Sequence, residues 1–175
     1  MCEKDVFSWT NMISGCVTNG FPSQALTLFW KMGLACVEPN NVTFSCLLKG
    51  CSILGSFDIG RLIHKYIVDI GFEMHVFVGS ALIDMYATFG NMSYAHMILE
   101  RVSMQDVPLW NSIILAYAEH GDAAEAIGFF RKMEKEKSMA PDKVTYLSLL
   151  KACARMHYLA MGQSVYSRIT QCGMG

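Results

Sequence analysis

The sequence predicts an all-α fold, a right-handed α-solenoid of about five helix-turn-helix repeats. Two observations carry that expectation. Apolar residues recur at helical spacing in short segments, and those segments return along the chain at a near-constant interval. The pattern is plainest from Asp106 to Met133. Trp110, Ile113, Ile114 and Tyr117 fall at i, i+3, i+4 and i+7, the apolar stripe of one short helix, and Ala123, Ala126, Ile127 and Phe130 repeat it for a second. Gly121 lies between them, where a left-handed residue can close the first helix, and Asp122 with Glu125 reads as a capping box opening the second.

Taking Trp110 as anchor, the equivalent residues are Trp9, Phe44, Gly79 and Tyr146, separated by 35, 35, 31 and 36 residues along the chain. The turn column is Gly20, Gly55, Gly90, Gly121 and His157. A column of small residues follows (Ala25, Gly60, Ala95, Ala126, Gly162), then a closing apolar column of Met32, Ile67, Val102, Met133 and Ile169. One hairpin of this size cannot bury its apolar stripes, so neighbours must stack to make a core. The 53% hydrophobic and 17% charged composition supplies ample material for one solenoid over residues 1–175.

The expected repeats are 6–40, 41–75, 76–106, 107–142 and 143–175, with residues 1–5 as the tail of a preceding unit. Repeat one uses Phe7 to about Asn19 and Pro22 to Met32, proline being tolerated in a helix's first turn. Repeat two starts at Val42, with Ser56 expected to cap its second helix. Repeat three, from Phe77, is short and has Asn91 as the expected cap. Repeat four ends in the mixed-charge run Arg131 to Lys137, where Lys132 and Glu136 are expected to pair on a solvated helix end. Repeat five begins at Val144 and stops at Gly175, before the last residue of the unit. Pro39 and Pro141 break the chain between repeats. Neither end carries a polar capping helix, which points to a fragment or assembly subunit with self-association through uncapped ends.

No cationic leader with an apolar core and no Arg- and Ser-rich presequence opens the chain, so no targeting peptide is expected. No apolar run reaches the roughly 18 residues of a membrane span. The seven cysteines include no Cys-x-x-Cys, and Cys46, Cys51 and Cys153 read as small packing residues. His64 shares the column of Phe29 and Phe130 and is assigned to packing. The methionines, among them Met12, Met32, Met85, Met92, Met97 and Met133, also fall on packing columns. No phosphate-gripping glycine loop, nucleophile and base pair, or metal cluster stands out, so no catalysis, cofactor or metal is expected.

The stretch from Val6 to Asn40, VFSWTNMISG followed by ALTLFWKM and Pro-Asn, resembles a pentatricopeptide repeat, and the resemblance extends over essentially the whole chain. Repeats one and four, ending in Pro-Asn and Pro-Asp, resemble the standard type. Repeat three resembles the short type, and repeats two and five the longer-looped type. That alternation is associated with land-plant organellar RNA-editing factors. The resemblance implies a single-stranded RNA reader that takes one base per repeat, located in mitochondrion or chloroplast, with editing or processing proteins supplied in trans. The zinc deaminase of such factors needs His-x-Glu and Pro-Cys-x-x-Cys, and neither motif occurs here.

The family reads bases with the residue after the anchor and the last residue of the repeat. Carried over, the pairs are Thr10 with Asn40, Ser45 with His75, Ser80 with Asp106, and Asn111 with Asp142; Leu147 has no partner within the chain. By resemblance the first pair favours adenine, the third guanine and the fourth uracil, while Ser45 with His75 and Leu147 depart from readable pairs. Phe7, Val42, Phe77, Pro108 and Val144, two positions before each anchor, lie where the family sandwiches bases. The plainer alternative makes Thr10, Ser80 and Asn111 solvated helix-start residues and Asp106 and Asp142 caps.

A net charge of −1 limits phosphate attraction. Lys49, Lys143, Lys151 and Arg155 are expected on the first-helix side, opposed by Glu119. Three readable bases recur about once in sixty-four positions of random RNA, too often to address one transcript. The competing expectation is a protein-binding helical scaffold using the same groove.

Overall fold

The computed structural model describes residues 5–102, 106–136 and 139–171. Among them the chain forms ten α-helices and no strand: α1 (Val6–Thr18), α2 (Pro22–Leu34), α3 (Asn41–Leu54), α4 (Phe57–Asp69), α5 (Val76–Thr88), α6 (Met92–Arg101), α7 (Val107–His120), α8 (Ala123–Lys135), α9 (Lys143–Arg155) and α10 (Leu159–Gln171). Of the expected leading tail only Asp5 is described, and it caps α1 by accepting from the Ser8 amide at 2.8 Å. Met1–Lys4, Lys137 and the end of repeat five lie outside the described residues.

Each successive pair is a helical hairpin, and the first helices α1, α3, α5, α7 and α9 stack on one another in chain order. The second helices pack on their own first helix, and α2, α4, α6 and α8 also touch the next first helix; they do not pack on one another to a comparable extent. A closely packed layer beside a splayed one must curve, so the first helices line the inside of the bend.

The sequence columns are the core. Trp9, Phe44, Trp110 and Tyr146 are buried, as are Met32, Ile67, Val102 and Met133. The small-residue column works by close approach: a Cβ on Gly60 would come within 3.0 Å of Met85 Sδ on the next first helix. The 31-residue spacing has a local cause. Helix α6 has 10 residues where the other second helices have 13, and it ends at Val102 in an extended conformation. Val102 then fills the space the missing anchor ring would take, since a Cβ on Gly79 would lie 2.9 Å from Val102 Cγ2.

Several local expectations are corrected. Gly20, Gly55 and Gly90 are left-handed at their turns, but Gly121 is not, with φ −112° and ψ −149°. It is required for space, because a Cβ there would meet Tyr117 Cδ1 at 2.9 Å. His157, the non-glycine of the column, does adopt the left-handed conformation at φ 53°. Asp122 caps α8 by accepting from the Ala124 amide at 2.8 Å; no reciprocal box with Glu125 forms, because the carboxylate has turned to the second helical amide. Ser56 and Asn91 stand at the caps of α4 and α6 without a side-chain cap bond. Lys132 lies over the Phe129 ring, 4.9 Å from its centre, rather than pairing with Glu136, and the ion pair on that side joins Glu134 to Arg168 of the next repeat.

Candidate functional site

The inner face is built from the first turns of α1, α3, α5, α7 and α9. Their N-caps are the last residues of the preceding repeats: Asn40 accepts from the Thr43 amide at 2.9 Å, Asp106 from Leu109 at 2.9 Å, and Asp142 from Thr145 at 2.9 Å. In α3 and α9 the box is complete, with Thr43 and Thr145 accepting from the cap amides. A cap at the start of one repeat therefore sits beside the first helix of the repeat before it, and sequence-distant side chains meet there.

Two of the four described pairs are joined in this way. Asn111 Nδ2 donates to Asp142 Oδ1 at 3.0 Å, and the Thr145 hydroxyl lies 2.5 Å from Asn111 Oδ1. The Thr10 and Thr43 hydroxyls are hydrogen-bonded at 2.7 Å, and Thr43 Oγ1 lies 2.9 Å from Asn40 Oδ1. Asn40 thus reaches Thr10 through Thr43. Burial alone would raise the Asp142 carboxyl, but the Thr145 amide, the Asn111 side chain and the Thr145 hydroxyl donate to it and hold it below the usual carboxylate range.

Ser45 and His75 are not bonded to each other. The Ser45 hydroxyl donates to the Asn41 carbonyl at 3.0 Å and lies 3.4 Å from that of Phe77, while His75 stacks on Phe72 and approaches Asn41. His75 occupies the cap of α5 without a cap bond. Ser80 does not reach Asp106; its Oγ is enclosed and makes no hydrogen bond.

The readers are covered more than free polar tips would be. Thr10 is 5% exposed and Asn111 6%, because the next repeat's threonine closes over each. The column beside them is open: Phe7 is 69% exposed and Phe77 67%, and Val42, Pro108, Val144 and Leu147 are exposed too. The expected cations are partly engaged. Lys151 pairs with Glu119, and Arg155 Nη1 donates to the Ala118 carbonyl at 2.7 Å.

Thr43 and Thr145 were missed as parts of the site. Their signal was present as Asn40-x-x-Thr43 and Asp142-x-x-Thr145, the spacing of a capping box. Other polar candidates fall to packing. Burial pushes the Cys51 thiol up to about 11. His64 Nδ1 lies 2.7 Å from the Tyr86 hydroxyl, in an edge-on ring contact. Among the described residues no group of three or more His, Cys, Asp or Glu is placed to hold a metal, and no helix is long and apolar enough to cross a membrane.

A stack of helical hairpins whose first helices recur in one register, each opened by the last residue of the repeat before it, defines a repeat solenoid. The chain belongs to the PPR repeat family: that family's model matches residues 4–52 and 105–155, and the PPR repeat model matches residues 144–174. A putative mitochondrial pentatricopeptide repeat-containing protein of Arabidopsis thaliana is 38% identical over 169 residues, covering 97% of this chain and 27% of that protein. A chloroplastic one from the same plant is 31% identical over 169 residues, covering 97% of this chain and 20% of its own length. The chain thus spans about a quarter of the length of such relatives. Among solved structures, the pentatricopeptide repeat protein PPR10 in complex with an 18-nt psaJ RNA element superposes with TM-score 0.83 at 20% identity, covering 98% of this chain and 26% of that one. The PPR domain of the Arabidopsis thaliana protein-only RNase P 1, in complex with tRNA, gives 0.66 at 14% identity, covering 93% and 87%.

Proposed function

We propose that this chain is a sequence-biased, non-catalytic single-stranded RNA-binding module that works in organellar RNA processing or C-to-U editing, in mitochondrion or chloroplast. The observation that carries the reading is the inner face itself. Four of the five first helices, in one register, place a short polar residue beside an exposed apolar or aromatic one, and at Thr10 and Asn111 the next repeat's capping box is bonded to it. PPR10 in complex with an RNA element and the RNase P 1 repeat domain in complex with tRNA support RNA as the ligand. The mitochondrial and chloroplastic names of the relatives support the compartment.

In this reading Phe7, Val42, Phe77, Pro108 and Val144 take the faces of successive bases, each stack contributing about 1–3 kcal/mol. Thr10 with Asn40, Ser80 with Asp106 and Asn111 with Asp142 set the preference for adenine, guanine and uracil, and Ser45 with His75 sets none. Asn111 retains one free amide N–H after its bonds to Asp142 and Thr145, which is the donor left for a base edge. The shortened α6 supports assigning repeat three to the short type, and the alternation of types supports the editing context. Enzymes are supplied in trans.

Titration of an RNA containing A-N-G-U against scrambled controls at low salt tests this. Preferential binding of A-N-G-U supports the reading; equal and negligible binding to both removes it. A protein-binding scaffold is favoured by one observation, a groove of about 420 Å³ between α2 and α4 lined by Leu26, Phe29, Trp30, Leu62 and Tyr66. Its sign is a protein partner retained after nuclease treatment and indifferent to Asn111→Ala.

A further inference from the structure

A cleft of about 630 Å³ opens between α3 and α5 on the inner face. Ser45, Lys49, Phe77, Ser80, Asp84 and Thr88 line it. It brings together an exposed aromatic ring, a lysine, the enclosed Ser80 hydroxyl with no protein partner, and a carboxylate. Lys49 and Asp84 occupy the same register position, five residues after their anchors, on adjacent first helices. The cleft therefore holds a cation suited to a phosphate and, facing it, an anion that opposes one. Among the described residues Lys49 makes no ion pair, whereas Lys151 on the same face is held by Glu119.

Asp84 is exposed in the open cleft, yet the protein walls around it partly desolvate its carboxyl and push it up to about 6. Glu119 of α7 adds like-charge repulsion in the same direction, and Lys49 of α3 works against it. Among the described residues these are the charged groups that act on it. Of the charges on α6, Glu100 faces His96 and Arg101 pairs with Glu73. Behind Glu119 stands its partner Lys151, with His120 beside it. His75, at the opposite end of α5, is a further titratable group near this face, 5.9 Å from the Phe77 ring.

Resting on the RNA-binding reading, we infer that Asp84 is an affinity-determining residue: as a carboxylate it offsets Lys49 and repels the RNA backbone, and on taking up a proton it frees Lys49 to neutralise a phosphate. Binding and protonation are then reciprocal, so RNA raises the proton affinity of Asp84 by as much as the proton raises affinity for RNA. Each unit by which RNA raises that pKa is worth up to tenfold in affinity.

The test uses the whole chain, a labelled random-sequence single-stranded RNA pool, constant low ionic strength, and pH 7.5 and 5.5. Wild type is expected to bind roughly three- to tenfold more tightly at pH 5.5. Asp84→Asn should bind at the acid level at both pH values, and His75→Asn should keep most of the dependence. Carboxyl ¹³C shifts should show a group titrating near pH 6 that Asp84→Asn removes. Affinity of wild type that does not change with pH, an Asp84→Asn variant that keeps the full dependence, or a midpoint near ordinary aspartate overturns the inference while leaving RNA binding intact. Absence of RNA binding at both pH values removes the underlying reading and this inference with it.

Discussion

Thr145 shows how one residue can hold two repeats together. Its amide donates to Asp142, its hydroxyl accepts from the Asp142 amide, and the same hydroxyl meets Asn111 of the preceding repeat. Thr145→Val keeps the shape and removes these hydroxyl bonds, leaving the Asn111 amide oxygen without its donor in a buried setting. Denaturant unfolding should show a loss of about 1–3 kcal/mol. A Thr145→Ser variant should recover most of it. His64 gives a second, pH-dependent case. Burial, with Arg101 adding to it and Glu73 opposing, lowers its pKa from the ordinary 6.5. The unfolded chain therefore takes up that proton first, so stability is full above pH 6.5 and falls as the pH drops through it. His64→Phe, which matches Phe29 and Phe130 in the same column, should flatten this acid limb between pH 7 and 5 in thermal melts. An unchanged limb would assign it to other groups.

At the scale of the element, the turns separate two reasons for a glycine that a column of letters merges. Gly55 closes α3 in the left-handed conformation, whereas Gly121 is there because Tyr117 leaves no room for a Cβ. His157 pays the strain of φ 53° with no glycine to relieve it. His157→Gly should therefore raise stability, by up to about 1 kcal/mol. Gly121→Ala should lower it, through the clash with Tyr117, although its φ is ordinary. Both are readable from paired melting curves. The same contrast explains what was legible beforehand. Anchors, small residues and closing residues could be read because one period repeats them and burial is a property of that period. The conformation at Gly121, the turned Asp122 carboxylate and Lys132 over Phe129 are settled by single neighbours that no period specifies. The covering of Thr10 and Asn111 was missed for a related reason. Each is sealed by a threonine 33 or 34 residues away, in the following repeat.

For the molecule as a whole, the packed inner layer and splayed outer layer direct one curved face toward a linear ligand, and the charges on that face decide how such a ligand is held. With a net charge of −1 the chain has no long-range attraction for a polyanion to draw on. On the inner face Lys151 is occupied by Glu119 and Arg155 by a backbone carbonyl, which leaves Lys143 and, once Asp84 is protonated, Lys49 as its principal free cations among the described residues. Neutralising about two phosphates on a single strand gives a slope near −1.4 in log affinity against log salt concentration. RNA binding should thus weaken only modestly, by less than about tenfold, between 50 and 200 mM salt. The remaining affinity must come from stacking, so Phe7→Ala together with Phe77→Ala should reduce binding at every salt concentration and leave the slope unchanged. Lys49→Gln should reduce the slope by somewhat less than one. A slope steeper than about −4 in wild type would place most of the affinity in phosphate contacts that this inner face does not provide, and would move the RNA to another surface of the solenoid.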